Sequence, residues 1–398
     1  MAEQSETPAD NVYLSAIDKA TLTPIVRRAL NRETTEIADW TYRRVYGGAG
    51  DVGEVLSGVY RFAGKGRDQD KSIEWSLILK VVGTTADDDP ADPRYWKREV
   101  LAYQSGQLAD LPGSLAAPRF LGITEFFEKV VGLWLEELVD DVGLNWPLEH
   151  YGLVARHLGQ FNGTFLANQE LPCWPWLLRD RLQHLVHGKQ AGRKFDQLRA
   201  SLGEPQTHRW FINKDDANSM LQLWEERGPL LDALYRLPQT VVHGDAFRRN
   251  LFARRTQDGH DETVAVDWTF VGMGAIGLEL ASLVQGTLFF SEVDVAQART
   301  LDRIVFEGYL TGLSEAGWHG DPRQVRLGYT ASSAMIFGLG YSAFKLNQDV
   351  YPWLEQAFGL PIDQFMDLGA ELNRFFLELA DEARTLLHVV PFLPHGSG

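Results

Sequence analysis

A chain of 398 residues, 44% hydrophobic and 23% charged, has the composition of a globular protein with room for two or three domains or one large two-lobed fold. Its 54 acidic against 38 basic residues leave a formal charge of −16, which repels phosphate backbones and disfavours nucleic acid as a partner, though not a basic pocket for a small phosphorylated ligand. The single cysteine, Cys173, excludes an internal disulfide and a thiolate zinc site, and beside Trp174 it is expected as a small buried thiol. No apolar run reaches the ~18 residues of a membrane span. The polar start, MAEQSETPADN, lacks a signal-peptide layout, so a cytoplasmic protein without a membrane partner is expected.

In chain order, the first third reads as strands. WTYRRVY (40–46) is rich in aromatic and β-branched residues, SGVYRFA (57–63) alternates, and GKGRDQDK (64–71) is a turn cluster. WSLILKVV (75–82) is a buried-strand run that ends in the acidic loop DDDPADP. PRYWKREVLAYQSGQL (93–108) has helical spacing with Pro93 in its first turn. PRFLGITEF (118–126) and KVVGLWLEELV (129–139) follow as a strand pair. From about residue 148 the chain changes to long amphipathic helices, among them HYGLVARHLGQFNGTFLANQ, WLLRDRLQHLVHG, ANSMLQLWEERGPLLDALYRL, ARTLDRIVFEGYLTGLSEAG and IDQFMDLGAELNRFFLELADEARTLL. One segment, 241–268, breaks this pattern: VVH, NLFARR and TVAVDW read as short strands, with QDGHDE as hairpin turn.

That segment carries the chemistry. Asp245 and Asn250 stand five residues apart on a loop, which lets one face a substrate hydroxyl and the other a metal. The hairpin then returns Asp267 beside Asn250. An amide and a carboxylate oxygen converging in this way suit Mg²⁺, a hard cation that keeps substrate phosphates as further ligands. Asp245 is then left to accept a hydroxyl proton during phosphoryl transfer.

The run HGDAFRRN…VDW, from His243 through Asn250 to Asp267-Trp268, resembles the catalytic core of the aminoglycoside-phosphotransferase-like enzymes, the small-molecule branch of the protein-kinase-like fold. The resemblance implies an α+β, bilobal protein-kinase-like fold: a small antiparallel-sheet N-lobe over 1–134, a hinge at 135–139, and a larger, mainly helical C-lobe over 140–398. It implies a phosphate-covering hairpin in GGAGDVGEVLSGVYRF, whose tip is either Gly50–Gly53 or Ser57–Gly58. A strand-like run after G-x-G-x-x-G favours this hairpin over a dinucleotide fold, which would open a helix there. By the same resemblance Lys80 contacts nucleotide phosphates, Glu99 orients it, and the backbone from Glu136 to Leu138 reads the adenine edge. A lysine closing an apolar strand is otherwise a costly choice without an anionic partner.

Three departures from the family pattern stand out. Glu279 occupies the place where an aspartate usually braces the catalytic loop. Asn162 replaces a common helix histidine, and Arg248-Arg249 fill a loop position where small residues are common. One of these arginines is a candidate for contacting the transferred phosphoryl group; the other reading is pairing with the acidic surface. A protein kinase is disfavoured, because Trp268 follows Asp267 and no chain is left for an activation segment. No two-His helical motif or G-x-S-x-G is present.

The function implied is transfer of the γ-phosphate of ATP, or another nucleoside triphosphate, with Mg²⁺, to a hydroxyl of a small molecule such as an aminoglycoside, amino sugar or choline-like alcohol. The alternative is a catalytically silent nucleotide-binding module of the same fold. Trp174, Trp176, Trp210, Trp318, Tyr341, Phe344, Tyr351 and Trp353 could build an aromatic cage in the helical part, although aromatics at helical spacing are usually core.

Overall fold

The structure is a computed structural model that describes residues 13–45, 55–84, 88–167, 170–187, 189–203, 211, 213–341, 351–358 and 361–392. It divides into two compact units, residues 1–111 with 116–140, and residues 112–115 with 141–398.

The first unit is built on a five-stranded antiparallel sheet of β1 (Glu36–Val45), β2 (Val55–Asp68), β3 (Lys71–Thr84), β4 (Phe120–Phe127) and β5 (Val130–Glu136), in the spatial order β1-β2-β3-β5-β4. Strict alternation sorts β2 and β3 into two faces. Tyr60, Phe62, Trp75, Leu77, Leu79 and Val81 point into a core closed by Leu22, Ile25 and Val26 of helix α1 (Lys19–Leu30). Phe62 meets Trp134 edge-on at 5.1 Å between ring centres, the offset geometry aromatic pairs prefer. Asp18 caps α1 by accepting the Thr21 N–H at 2.8 Å, and Asn31 ends it in the left-handed region. The opposite face of the sheet carries Val59, Arg61, Ile78 and Lys80, all half-buried.

Three expectations change in this unit. The turn cluster at 64–71 is mostly strand: β2 continues to Asp68, β3 begins at Lys71, and only Gln69 and Asp70 turn the chain. A continuous ladder satisfies more backbone than a long loop would. The helix read over 93–108 is shorter, α2 (Arg98–Gln104), so Pro93 lies before it in a turned segment. Ser57 and Gly58 are strand residues paired with Val82 and Val81, not a loop tip, while Gly50 and Gly53 lie outside the described residues.

The second unit is mainly helical. Helices α3 (Leu148–Ala167), α4 (Arg181–His187), α5 (Lys189–Ala200), α6 (Lys214–Glu225) and α7 (Arg227–Arg236) precede the strand-bearing segment 239–275. After it come α8 (Leu278–Ala281), α9 (Ala298–Glu315), α10 (Pro322–Ser333), α11 (Tyr351–Phe358) and α12 (Ile362–Leu387). The segment read as one helix over 217–237 is two, divided at Glu226. Helices α3 and α9 approach backbone to backbone: a Cβ on Gly312 would stand 1.9 Å from the Arg156 carbonyl. Farther out, the half-buried Arg326 joins α9, α10 and α12 by reaching Asp302 at 2.7 Å and Glu382 at 2.6 Å.

Candidate active site

In the first unit, Lys80 Nζ lies 2.6 Å from Glu99 Oε2, with both side chains largely buried. The loop before α2 makes this possible. Arg98 is fully buried and its guanidinium donates to the carbonyls of Pro90, Asp92 and Pro93 at 3.0, 2.8 and 2.9 Å. That network fixes where α2 starts and therefore which way Glu99, its second residue, projects.

At the end of β5 the Glu136 N–H donates to the Arg119 carbonyl at 3.2 Å, so this amide belongs to the sheet. Glu137, which follows, accepts from Arg61 Nε at 2.6 Å. Burial raises its carboxyl pKa, but hydrogen bonds from Arg61 and Ser76 outweigh that and hold it below the usual range. The segment carrying Leu138 is thereby tied through Glu137 to β2 and β3.

In the second unit, β6 (Gln239–Val242) delivers His243-Gly244-Asp245, and β7 (Leu251–Arg255) and β8 (Asp261–Ala265) form the expected hairpin, with Leu251 opposite Ala265. β9 (Gly272–Ala275) runs antiparallel to β6. The Val266 N–H donates to the Asn250 carbonyl at 2.9 Å, which returns Asp267 next to Asn250. Asp267 takes the left-handed conformation (φ 62°), and its Oδ1 accepts from Thr269 Oγ1 at 2.6 Å. Asn250 Nδ2 donates to the Asp245 carbonyl at 3.0 Å and lies 3.3 Å from Asp245 Oδ2. Its amide nitrogen is thus committed, and Oδ1 is the atom left to accept or to coordinate.

His243 is a buried pin for this loop. Its Nε2 donates to the Val266 carbonyl at 2.9 Å and its Nδ1 accepts the Asp245 N–H at 3.2 Å, which defines one neutral tautomer. Its ring stands edge-on to Trp268, 4.6 Å away. Gly244 has φ 82°, and a Cβ there would lie 2.6 Å from the Phe270 carbonyl, so no larger residue fits.

Glu279, on α8, is fully buried and accepts the backbone N–H groups of His243 and Gly244. Burial pushes its carboxyl up to about 7, against the lowering effect of those two hydrogen bonds. Asn162 plays a related part from α3: its Nδ2 donates to the Val241 carbonyl at 2.7 Å, and its Oδ1 accepts from Tyr309 at 2.7 Å. The Tyr309 oxygen in turn accepts the Gly277 N–H at 3.3 Å, two residues before Glu279.

The two loop arginines differ. Arg248 is buried, with its guanidinium donating to the carbonyls of Leu251 at 3.0 Å and Gly143 at 2.7 Å and lying 4.0 Å over the Trp146 ring. That places it in the loop's scaffold and argues against a phosphoryl contact. Arg249 pairs with Glu292 at 2.8 Å and covers Phe290, the acidic-partner reading.

Sequence reasoning missed Arg181, whose guanidinium donates to the Gly244 carbonyl and lies 4.0 Å from Asp245 Oδ1. Nothing in WLLRDRLQHLVHG distinguishes it from the neighbouring Arg179, because only the fold brings position 181 to the loop. Cys173 is exposed, not a buried thiol, while Trp174 and Trp176 stack on each other at 5.1 Å. Trp210 and Phe344, and the side chains of Tyr341 and Trp353, lie outside the described residues.

Among the described residues no group of three His, Cys, Asp or Glu side chains could hold a metal ion. Asn250 and Asp267 offer one amide oxygen and one carboxylate side by side, oxygen donors of the kind a hard divalent cation takes. No helix among the described residues is long and apolar enough to cross a membrane.

Residues 135–319, which include the whole 243–268 segment, match the phosphotransferase enzyme family. No curated protein matches the chain. Among solved structures, the chain is similar to amicoumacin kinase hAmiN in complex with AMP-PNP and Ca²⁺, at 14% identity over 82% of this chain and 86% of that one, with a TM-score of 0.48. It is also similar to choline kinase from Cryptosporidium parvum Iowa II (12% identity, 87% and 90% covered, TM-score 0.48). A third is a choline/ethanolamine kinase family protein from Mesorhizobium loti (14% identity, 87% and 91% covered, TM-score 0.45).

Proposed function

We propose, from the match of residues 135–319 to the phosphotransferase enzyme family, that this chain transfers the γ-phosphoryl group of ATP to a hydroxyl of a small molecule. The observation that carries this reading is that Asp245, on the loop after β6, is hydrogen-bonded by Asn250, whose carbonyl accepts the Val266 N–H, so that the β7–β8 hairpin returns Asp267 beside them. Lys80, held by Glu99, binds the nucleotide phosphates, and the backbone after β5 reads the base. Asn250 Oδ1 and Asp267 hold Mg²⁺, which when bound offsets charge on the phosphate oxygens. Asp245 orients the acceptor hydroxyl and receives its proton as the new P–O bond forms and the bond to the ADP oxygen breaks. Glu279 and His243 keep the loop in the shape this requires, so that catalysis comes mainly from positioning.

A coupled ADP-release screen over hydroxylated amines, sugars and antibiotics tests the reading. A product whose formation needs a divalent cation and is lost in Asp245→Asn and Asp267→Ala supports it. Failure of the wild type to turn over ATP with any acceptor would leave a nucleotide-binding module.

A further inference from the structure

The guanidinium of Arg181 lies between the two stretches of backbone that carry the candidate catalytic groups. On one side it donates to the Gly244 carbonyl and approaches Asp245 Oδ1 to 4.0 Å. On the other it stacks 4.1 Å from the ring centre of Phe270, three residues after Asp267. The chain leading to Arg181 is fixed to that second stretch: Leu178 donates its N–H to the Val271 carbonyl at 3.2 Å and accepts the Met273 N–H at 2.7 Å. The arginine is therefore anchored to the residues that follow Asp267 and reaches across to the residues that present Asp245. A planar fork can hold a carbonyl, face a carboxylate and stack on a ring together, which an ammonium cannot.

We propose that Arg181 is a positioning residue for phosphoryl transfer, a clamp that holds Gly244 and Asp245 in register with the 267–270 turn. This rests on the phosphotransferase reading above. Because the Gly244 peptide precedes Asp245, losing its hold on the carbonyl lets the Asp245 carboxylate swing. A displacement of about 1 Å at such a group costs up to about 100-fold in rate.

The test uses the full-length protein with Arg181→Ala and Arg181→Lys. With ATP and an acceptor found in the screen, Arg181→Ala is expected to lose about 10- to 100-fold in kcat while KM for ATP stays within about twofold. Millimolar guanidinium should restore part of that loss in Arg181→Ala and do nothing for the wild type, and Arg181→Lys should recover little. Hydrogen exchange of the backbone amides at 243–250, read without any acceptor, should be about tenfold faster in Arg181→Ala, with the α3 and α9 amides unchanged. Wild-type kcat in Arg181→Ala, or unchanged exchange at 243–250, overturns the clamp. If the wild type phosphorylates nothing, the phosphotransferase reading fails on its own, and the exchange measurement still decides whether Arg181 holds the loop.

Discussion

Glu279 accepts the backbone N–H of Gly244 at 3.3 Å from a fully buried position, so one carboxyl on α8 holds the peptide just before Asp245. A glutamate thus braces the loop, and Gly277, in the left-handed region at φ 88°, starts α8 directly against α10. The pKa of this carboxyl is pushed up to about 7 by burial. Its proton is held more tightly in the folded chain than in the unfolded one, so stability falls as pH rises from the ordinary glutamate range to about 7.

His157 opposes that slope. Burial lowers its pKa to about 4, and its Nδ1 shares a hydrogen bond with Thr263 Oγ1 at 2.8 Å. The unfolded chain takes up this proton first, so its contribution is complete above the ordinary histidine range and is lost as pH falls toward 4. Each effect is on the order of 3 kcal/mol by linkage, with opposite sign. Urea denaturation from pH 4.5 to 7.5 is expected to show a shallow pH dependence for the wild type. Glu279→Gln should become steadily more stable with rising pH, and His157→Asn steadily less. Parallel curves for all three proteins would contradict this.

Stability and activity should separate at Lys80 and Glu99. Removing one member of a buried pair strands the other, so Lys80→Met is expected to cost about 3–5 kcal/mol. Lys80→Met combined with Glu99→Leu should recover most of that stability, because an apolar pair of similar volume replaces the ions. Turnover should stay at least about 100-fold down in both, because the double variant restores packing and not the phosphate contact proposed for Lys80. Recovery of turnover in the double variant would remove Lys80 from the nucleotide site.

Arg248 and Arg249 should differ in kind. Arg248→Ala takes the guanidinium away from the buried Leu251 carbonyl and the half-buried Gly143 carbonyl and is expected to cost about 2–4 kcal/mol, with a lower melting temperature. Arg249→Ala breaks a half-exposed pair with Glu292 and should cost under about 1 kcal/mol. Equal melting temperatures for the two variants would contradict the scaffold role of Arg248.

Rigid backbone geometry sets the tolerance at position 244. Gly244→Ala combines a left-handed φ with a 2.6 Å approach to the Phe270 carbonyl, so the loop must move. Loss of about 100-fold in turnover with an otherwise intact circular dichroism spectrum is expected. Wild-type turnover would show that the loop tolerates the shift.

Much of the fold is written locally. The alternation in β2 and β3, the helical spacing of α3, α9 and α12, and the hairpin after Asn250 are each legible from neighbouring residues, because side-chain direction follows strand and helix periods directly. The same locality makes HGDAFRRN…VDW readable, since the hairpin itself returns Asp267 to Asn250. Locality also explains the errors. Gly64 and Gly66 look like turn residues, yet they pair within β2, where a Cβ on Gly64 would stand 2.1 Å from the Asp39 carbonyl. A glycine needed for close approach is indistinguishable in sequence from one needed for a turn.

Most of the element order, the acidic charge and the HGDAFRRN…VDW motif are legible from residues close together in the chain. Only the tertiary structure decided that Glu279 braces the loop, that Arg248 belongs to its scaffold and that Arg181 reaches Gly244. These three depend on contacts between residues 35, 105 and 63 positions apart, and such contacts are set by packing, not by any period along the chain.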